Sequence, residues 1–153
     1  MKRKYLISFI LIFLVLIIIA GINSYYQNKT SDSSLAIMYK SEGCSCCVKY
    51  SKYLNSHGIS VKINIVEINS FMDKYNIPKD LRSCHFIIFQ GYIIVGHVPI
   101  EAINKLLSEK PKIRGISLPG MPSGSPGMDG AKTEEFIIYS FDFDGNISIF
   151  MRI

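Results

Sequence analysis

The pattern of apolar and polar positions divides the chain near residue 30. Leu6 to Ile22 is a charge-free apolar stretch, and Lys2, Arg3 and Lys4 stand directly before it. Such a stretch is at the short end for a spanning helix and at the long end for a signal peptide. The basic flank predicts that this end stays cytoplasmic and that the rest of the chain lies beyond the membrane. No cysteine closes the stretch, so a lipid-modified cysteine is not expected. Ala20 and Gly21 do not make a clean cleavage site, which favours an uncleaved anchor over a cleaved signal. The expected organisation is a signal or anchor segment with its tether over residues 1–30 and one domain over 31–153. That domain is expected in the periplasm or on the outer face of the cytoplasmic membrane.

Beyond a polar tether from Tyr25 to Ser34, strand and helix periods follow one another. Leu35 to Tyr39 reads as a strand. After the loop Ser41 to Ser45, Cys46 to Ser56 reads as a helix, with Cys47, Tyr50, Ser51 and Leu54 on one face by three-and-four spacing. Gly58 supplies a left-handed stop. Val61 to Glu67 alternates as a strand, and a short helix from Ser70 to Tyr75 ends before Pro78. His85 to Phe89 and Tyr92 to Val98 read as a hairpin around Gln90-Gly91. Ile100 to Glu109 is an amphipathic helix between Pro99 and Pro111, with Ile103, Leu106 and Leu107 as its stripe. Lys112 to Lys132 holds Pro119, Pro122, Pro126 and five glycines, and reads as a loop. Glu135 to Phe141 and Ile147 to Met151 form a second hairpin around Asp144-Gly145-Asn146.

The formal charge of +5 changes little in this picture. Four of the 17 basic residues precede residue 30 and all 12 acidic ones follow it, which leaves 13 against 12 in the domain. No basic stripe marks a nucleic-acid surface, and no nucleic-acid partner is expected. About 120 residues suffice for one modest core.

The candidate chemistry is concentrated in sulfur and imidazole. Cys44 and Cys47 form a Cys-x-x-Cys pair between the first strand and the first long helix, a thioredoxin-like placement. The helix N-terminus favours their thiolates, which attack disulfides and also bind soft metal ions. Cys46 is the informative extra, because disulfide exchange needs two cysteines here and a third invites mixed bridges. Three readings stand: a metal-ligand cluster, a redox pair, or a structural bridge from Cys44 or Cys47 to Cys84. Cys84-His85 precedes one strand of the first hairpin and His97 ends the other, so the two imidazoles are expected at neighbouring strand ends. His57, at a helix end, is expected to stay outside the site. Met121 and Met128 lie in the Pro- and Gly-rich loop with no helical or strand period to explain them as core. A thioether is a neutral soft donor suited to Cu(I) and poor for zinc. Met72 is expected to be ordinary packing.

Together these residues resemble the CopG-like small bacterial metal-binding proteins, a family long known only as a domain of unknown function and linked to copper resistance. The resemblance is carried by Tyr39-Lys40-Ser41 leading into Cys44-Ser45-Cys46-Cys47, by Leu81-Arg82-Ser83-Cys84-His85, by Gly91-Tyr92 with Val95-Gly96-His97-Val98-Pro99, and by Gly115 through Leu118-Pro119-Gly120-Met121-Pro122-Ser123-Gly124-Ser125-Pro126-Gly127-Met128. It spans residues 36 to 153. Ser45 stands where the family usually has glycine, which removes no ligand. The resemblance implies an exported α/β, thioredoxin-like domain, a small central sheet flanked by helices. Copper is the implied metal; the thiol and thioether donors favour Cu(I), and eight candidate donors exceed the four that one site uses, so more than one ion is expected. Cys44, Cys46, Cys47, Cys84, His85, His97, Met121 and Met128 are placed in or near the site. The proline usual beside a thioredoxin Cys-x-x-Cys is replaced by Cys84-His85, which argues against ordinary disulfide exchange. The implied role is copper resistance or handling in the cell envelope, with other copper-handling proteins as partners and Cu(I)/Cu(II) cycling as an extension. An extracytoplasmic thiol–disulfide oxidoreductase and a zinc-stabilised structural domain are the alternatives.

Overall fold

A computed structural model describes residues 11–25 and 34–153. The chain forms two units, Met1–Ser34 and Leu35–Ile153. In the first, residues 11–25 are a helix, α1. Lys2, Arg3, Lys4 and the start of the apolar stretch lie outside the described residues, as does most of the tether. Among the described residues no helix is long and apolar enough to cross a membrane.

The second unit is a mixed α/β domain. Its elements run β1 (Leu35–Lys40), α2 (Ser45–Ser56), β2 (Ser60–Ile65), α3 (Ile68–Lys74), a 3-10 turn (Lys79–Leu81), β3 (His85–Phe89), β4 (Tyr92–Gly96), α4 (Ile100–Glu109), β5 (Gly115–Leu118), β6 (Ile137–Phe141) and β7 (Ile147–Arg152). The strands form one seven-stranded sheet in the order β2-β1-β3-β4-β5-β6-β7. β1 and β2 are parallel, as are β4 and β5, and the remaining neighbours are antiparallel.

Strand alternation sends successive residues to opposite faces. Ile87 and Phe89 of β3 and Ile94 of β4 pack with Ala36, Met38 and the buried residues of α2 and α4. Phe86, Ile93 and Val95 pack on the other face with Ile68 and Met72 of α3, Ile77, Leu81 and Phe141. The helix ends have local causes. Glu67 caps α3, its carboxylate accepting from the Asn69 and Ser70 N–H groups at 3.3 and 2.8 Å. The helix therefore starts at Ile68 rather than at the expected Ser70.

The main departure from the sequence reading lies in Lys112 to Lys132. The stretch read as loop contains β5, buried along its whole length and parallel to β4. Four residues that include a glycine and a serine show no alternation, because both faces of the strand are covered. The Ser117 hydroxyl finds a partner in the Leu81 carbonyl at 2.8 Å.

Candidate metal centre

The site gathers where β1 ends, α2 begins, β3 begins and β4 ends. The periods of these elements aim the donors. Cys47 is on the buried face of α2, one turn before Tyr50 and Ser51. His85 shares its strand face with Ile87 and Phe89, so its imidazole points toward α2. The backbone fastens the two segments, since the Ser41 N–H donates to the Cys84 carbonyl at 3.1 Å.

The four cysteines form one group. Cys44 and Cys47 are joined as a disulfide, and Cys46 and Cys84 are free and half-buried. The Cys84 sulfur lies 3.0 Å from Cys44 Sγ and 3.6 Å from Cys47 Sγ. Cys46 Sγ lies 3.5 Å from Cys44 Sγ. The bridge runs within the Cys-x-x-Cys pair, not to Cys84 as in the structural-bridge reading. Cys44 and Cys47 therefore become thiolate donors only after two-electron reduction.

Two histidines complete the interior. His85 Nδ1 is 3.4 Å from Cys47 Sγ and 3.8 Å from Cys84 Sγ. One donor atom from each of Cys44, Cys47, Cys84 and His85 lies within 4.8 Å of the other three. His97 follows β4, its ring centroid 5.1 Å from that of His85 and nearly perpendicular to it. Its Nδ1 pairs with the Pro126 carbonyl, which requires the proton on Nδ1 and leaves the Nε2 lone pair free. Burial, with the neighbouring His97 second, lowers the His85 pKa to about 3. Burial also lowers that of His97. Both rings are thus neutral at physiological pH, the form that ligates metals. Burial and the nearby Cys46 push the Cys84 thiol up.

The loop after β5 closes over this group. Gly120 and Met121 both have positive φ, +75° and +46°. The left-handed region is uncommon for a methionine. Here it accompanies a thioether 3.8 Å from Cys84 Sγ. Gly127 sits where a Cβ would be 2.7 Å from the Tyr50 amide nitrogen, so only glycine lets the loop lie this close to α2. Lys49 pairs with Asp129 at 2.8 Å beyond it. Met128 is half-buried at the end of this turn, its N–H donating to the Ser125 carbonyl at 2.9 Å. Among the described residues, the cluster's sulfur contacts reach Met121 and not Met128. His57 is exposed at the end of α2, its Nδ1 2.8 Å from the Tyr53 carbonyl oxygen.

Two neighbours were not assigned to the site from the sequence. Tyr50 is fully buried, its ring 5.4 Å from His85 and 4.9 Å from His97, and its hydroxyl donates to the Val98 carbonyl at 2.7 Å. Its position one turn after Cys47 is the signal that could have found it. Lys40, on the β1 face of Ala36 and Met38, is the other.

The residues present fit a soft metal ion. The Nε2 atoms of His85 and His97 are buried without hydrogen-bond partners. Such orphaned polar atoms cost free energy unless something else satisfies them. Next to them stand sulfur donors of two kinds, thiol and thioether.

The comparisons agree with this chemistry. The family described as "Protein of unknown function, DUF411" matches residues 81–128, the segment that carries Cys84, His85, His97, Met121 and Met128. Two solved structures titled copper resistance protein CopG, Form 1 and Form 2, are each 27% identical to this chain. They cover 78% of it and 96% and 97% of their own chains, with TM-scores of 0.71 and 0.72. No curated protein matches. A mixed α/β domain with a cysteine–histidine cluster able to hold metal is the class these features define. Within it, the family match and both structures support the CopG-like copper-resistance family that the motifs resemble.

Proposed function

We propose that this chain binds copper at the cysteine, histidine and methionine cluster and contributes to copper resistance or handling in the cell envelope. The observation that carries the reading is the convergence of four cysteine sulfurs, the Met121 thioether and two neutral imidazoles in one partly buried cluster. Thiolate and thioether select Cu(I), whereas zinc gains nothing from a thioether. Imidazole accommodates Cu(II) as well, so copper held there could exchange one electron between its two states. Of the eight candidates, Cys44, Cys46, Cys47, Cys84, His85, His97, Met121 and Met128, the seven other than Met128 still exceed what one ion uses, which supports more than one copper per chain.

The arrangement of the first four strands, with α2 and α4 on one face and α3 on the other, supports a thioredoxin-like frame in which β5 to β7 extend the sheet. The apolar segment before the domain supports an anchor, with the domain in the periplasm or on the outer face of the cytoplasmic membrane. Other envelope proteins that carry copper are the expected partners.

The second reading, a thiol–disulfide oxidoreductase, is favoured by one observation, the Cys44–Cys47 bridge. The two readings meet in one requirement. A dithiol must hand two electrons to the bridge, becoming a disulfide itself, before Cys44 and Cys47 can ligate metal. The deciding experiment is anaerobic metal analysis of the reduced chain with Cu(I) and Zn(II) in competition. Copper is expected in preference to zinc and at more than one ion per chain. Equal occupancy by zinc would overturn the copper reading in favour of a zinc-stabilised structural domain, and no bound metal at all would overturn it in favour of disulfide exchange.

A further inference from the structure

Lys40 is a buried cation that the copper reading does not use. It is the last residue of β1 and only 7% exposed. Alternation from Ala36 and Met38 places it on the face of α2 and the cysteines. Its Cα is paired in register with that of His85. The next residue, Ser41, is tied to the Cys84 carbonyl through its N–H at 3.1 Å and its hydroxyl at 3.4 Å. Lys40 is thus held where β1 runs into the cysteine loop.

Its ammonium has little to offset burial. Nζ donates to the Ser41 carbonyl at 2.9 Å. Among the described residues no carboxylate is within ion-pair distance of it. A buried ammonium satisfied by one neutral carbonyl is unfavourable unless an anion shares its surroundings. The candidate anions are the cysteine sulfurs. In the oxidised state Cys44 and Cys47 carry no charge. With the bridge reduced and metal bound, each ligating thiolate brings one negative charge and each Cu(I) returns one positive charge. Thiolates in excess of copper leave the site anionic.

We propose that Lys40 is the fixed counter-charge of the reduced, thiolate-bearing site and a positioning residue for Cu(I). This rests on the copper reading, and the test separates the two. Lys40→Met keeps the apolar stem and removes the charge. Lys40→Gln keeps a donor without charge, and Lys40→Arg keeps the charge. In the full-length chain in detergent, two quantities are measured after reduction. One is the rate of iodoacetamide alkylation at each cysteine of the metal-free protein at pH 7, read by mass spectrometry. The other is Cu(I) affinity against the chelator bicinchoninate.

Lys40→Met and Lys40→Gln should both slow alkylation and weaken Cu(I) binding by about tenfold, the effect of a one-unit pKa change, while Lys40→Arg stays near wild type. Wild-type behaviour of Lys40→Gln would reduce Lys40 to a hydrogen-bond donor and overturn the proposal. So would unchanged rates and affinities in Lys40→Met. If Lys40→Met does not fold, the contrast between glutamine and arginine decides. If the wild type itself binds no Cu(I), the copper reading falls while the alkylation series still decides Lys40.

Discussion

The two faces of the sheet are built from alternate residues of the same strands and serve different ends. On the face of α3, Phe86 stacks with Tyr39 at 5.2 Å and meets Tyr75 at 5.1 Å, in a cluster of apolar and aromatic side chains. On the face of α2 and α4, the preceding residue of the same strand is His85, and around it are cysteines, a second histidine and Lys40. On the α3 face the buried side chains are apolar or aromatic, and the buried Ser117 hydroxyl has its partner in the Leu81 carbonyl. The other holds imidazole nitrogens without partners. An apolar face tolerates a loss of volume at a cost in stability alone. A face that holds polar groups in readiness for a ligand depends on what binds there. The comparison predicts that mutations on the two faces separate stability from metal binding.

The largest effect should come from the apolar face. Phe86→Ala removes a fully buried ring and should cost about 3–5 kcal/mol in urea unfolding of the metal-free protein. Copper bound per folded chain should not change, and the milder Phe86→Leu provides the folded material to count it. A loss of copper stoichiometry in Phe86→Leu, at full folded signal, would show that the two faces are coupled and end the separation.

That division also sets what could be read from the sequence. The helix Ile100–Glu109 has the expected bounds because its amphipathic period and flanking prolines decide them, and the strand His85–Phe89 has them because its apolar run ends at the Gln90-Gly91 turn. His85 and His97 could be brought together on paper, since both stand about six residues from the hairpin turn. β5 could not be read, because burial on both faces erases the alternation. Lys40 was hidden for a related reason. A lysine at the end of a strand reads as a solvated terminus, and only the sheet order puts it beneath α2. The Cys44–Cys47 bridge was similarly open, since one sequence with four cysteines does not determine their pairing.

The next effect concerns protons and falls on the face with chemistry. His85 is neutral in the folded domain down to about pH 3, against an ordinary value of 6.5. The unfolded chain therefore binds a proton between those limits that the folded chain does not. The sign follows directly: stability is fully present above pH 6.5 and is lost as the pH falls toward 3. Down to pH 4 the share of His85 in that loss should be about 3 kcal/mol, to which the carboxylates add their own. Urea midpoints of the metal-free protein from pH 7 to 4 measure it. His85→Gln should flatten the slope without abolishing it, because burial lowers the pKa of His97 as well. An unchanged slope in that variant would place the acid sensitivity elsewhere.

The smallest and most discriminating effect lies in the loop over the site, where two methionines that look alike in sequence differ in place. The Met121 thioether touches Cys84, and its backbone occupies the left-handed region to do so. Met128 has its place fixed by the turn from Ser125. Exchange of either for leucine preserves most of the apolar volume and should cost under about 1.5 kcal/mol. Neither residue is branched at Cβ, so the positive φ at position 121 burdens leucine about as much as methionine. Stability is therefore matched between the two variants, and metal affinity becomes the only expected difference. Met121→Leu should weaken Cu(I) by about tenfold, the low end of what supporting groups contribute at metal sites, and Met128→Leu should leave it unchanged. The reading is taken by chelator competition on the reduced chain, with zinc affinity as the control, since loss of a thioether should not weaken zinc. Equal losses in both variants would mean that the loop moves on metal binding and delivers both thioethers, as expected from the sequence, which places both methionines in or near the site. Loss of zinc and copper alike would instead make Met121 a lid that shields the site and not a ligand.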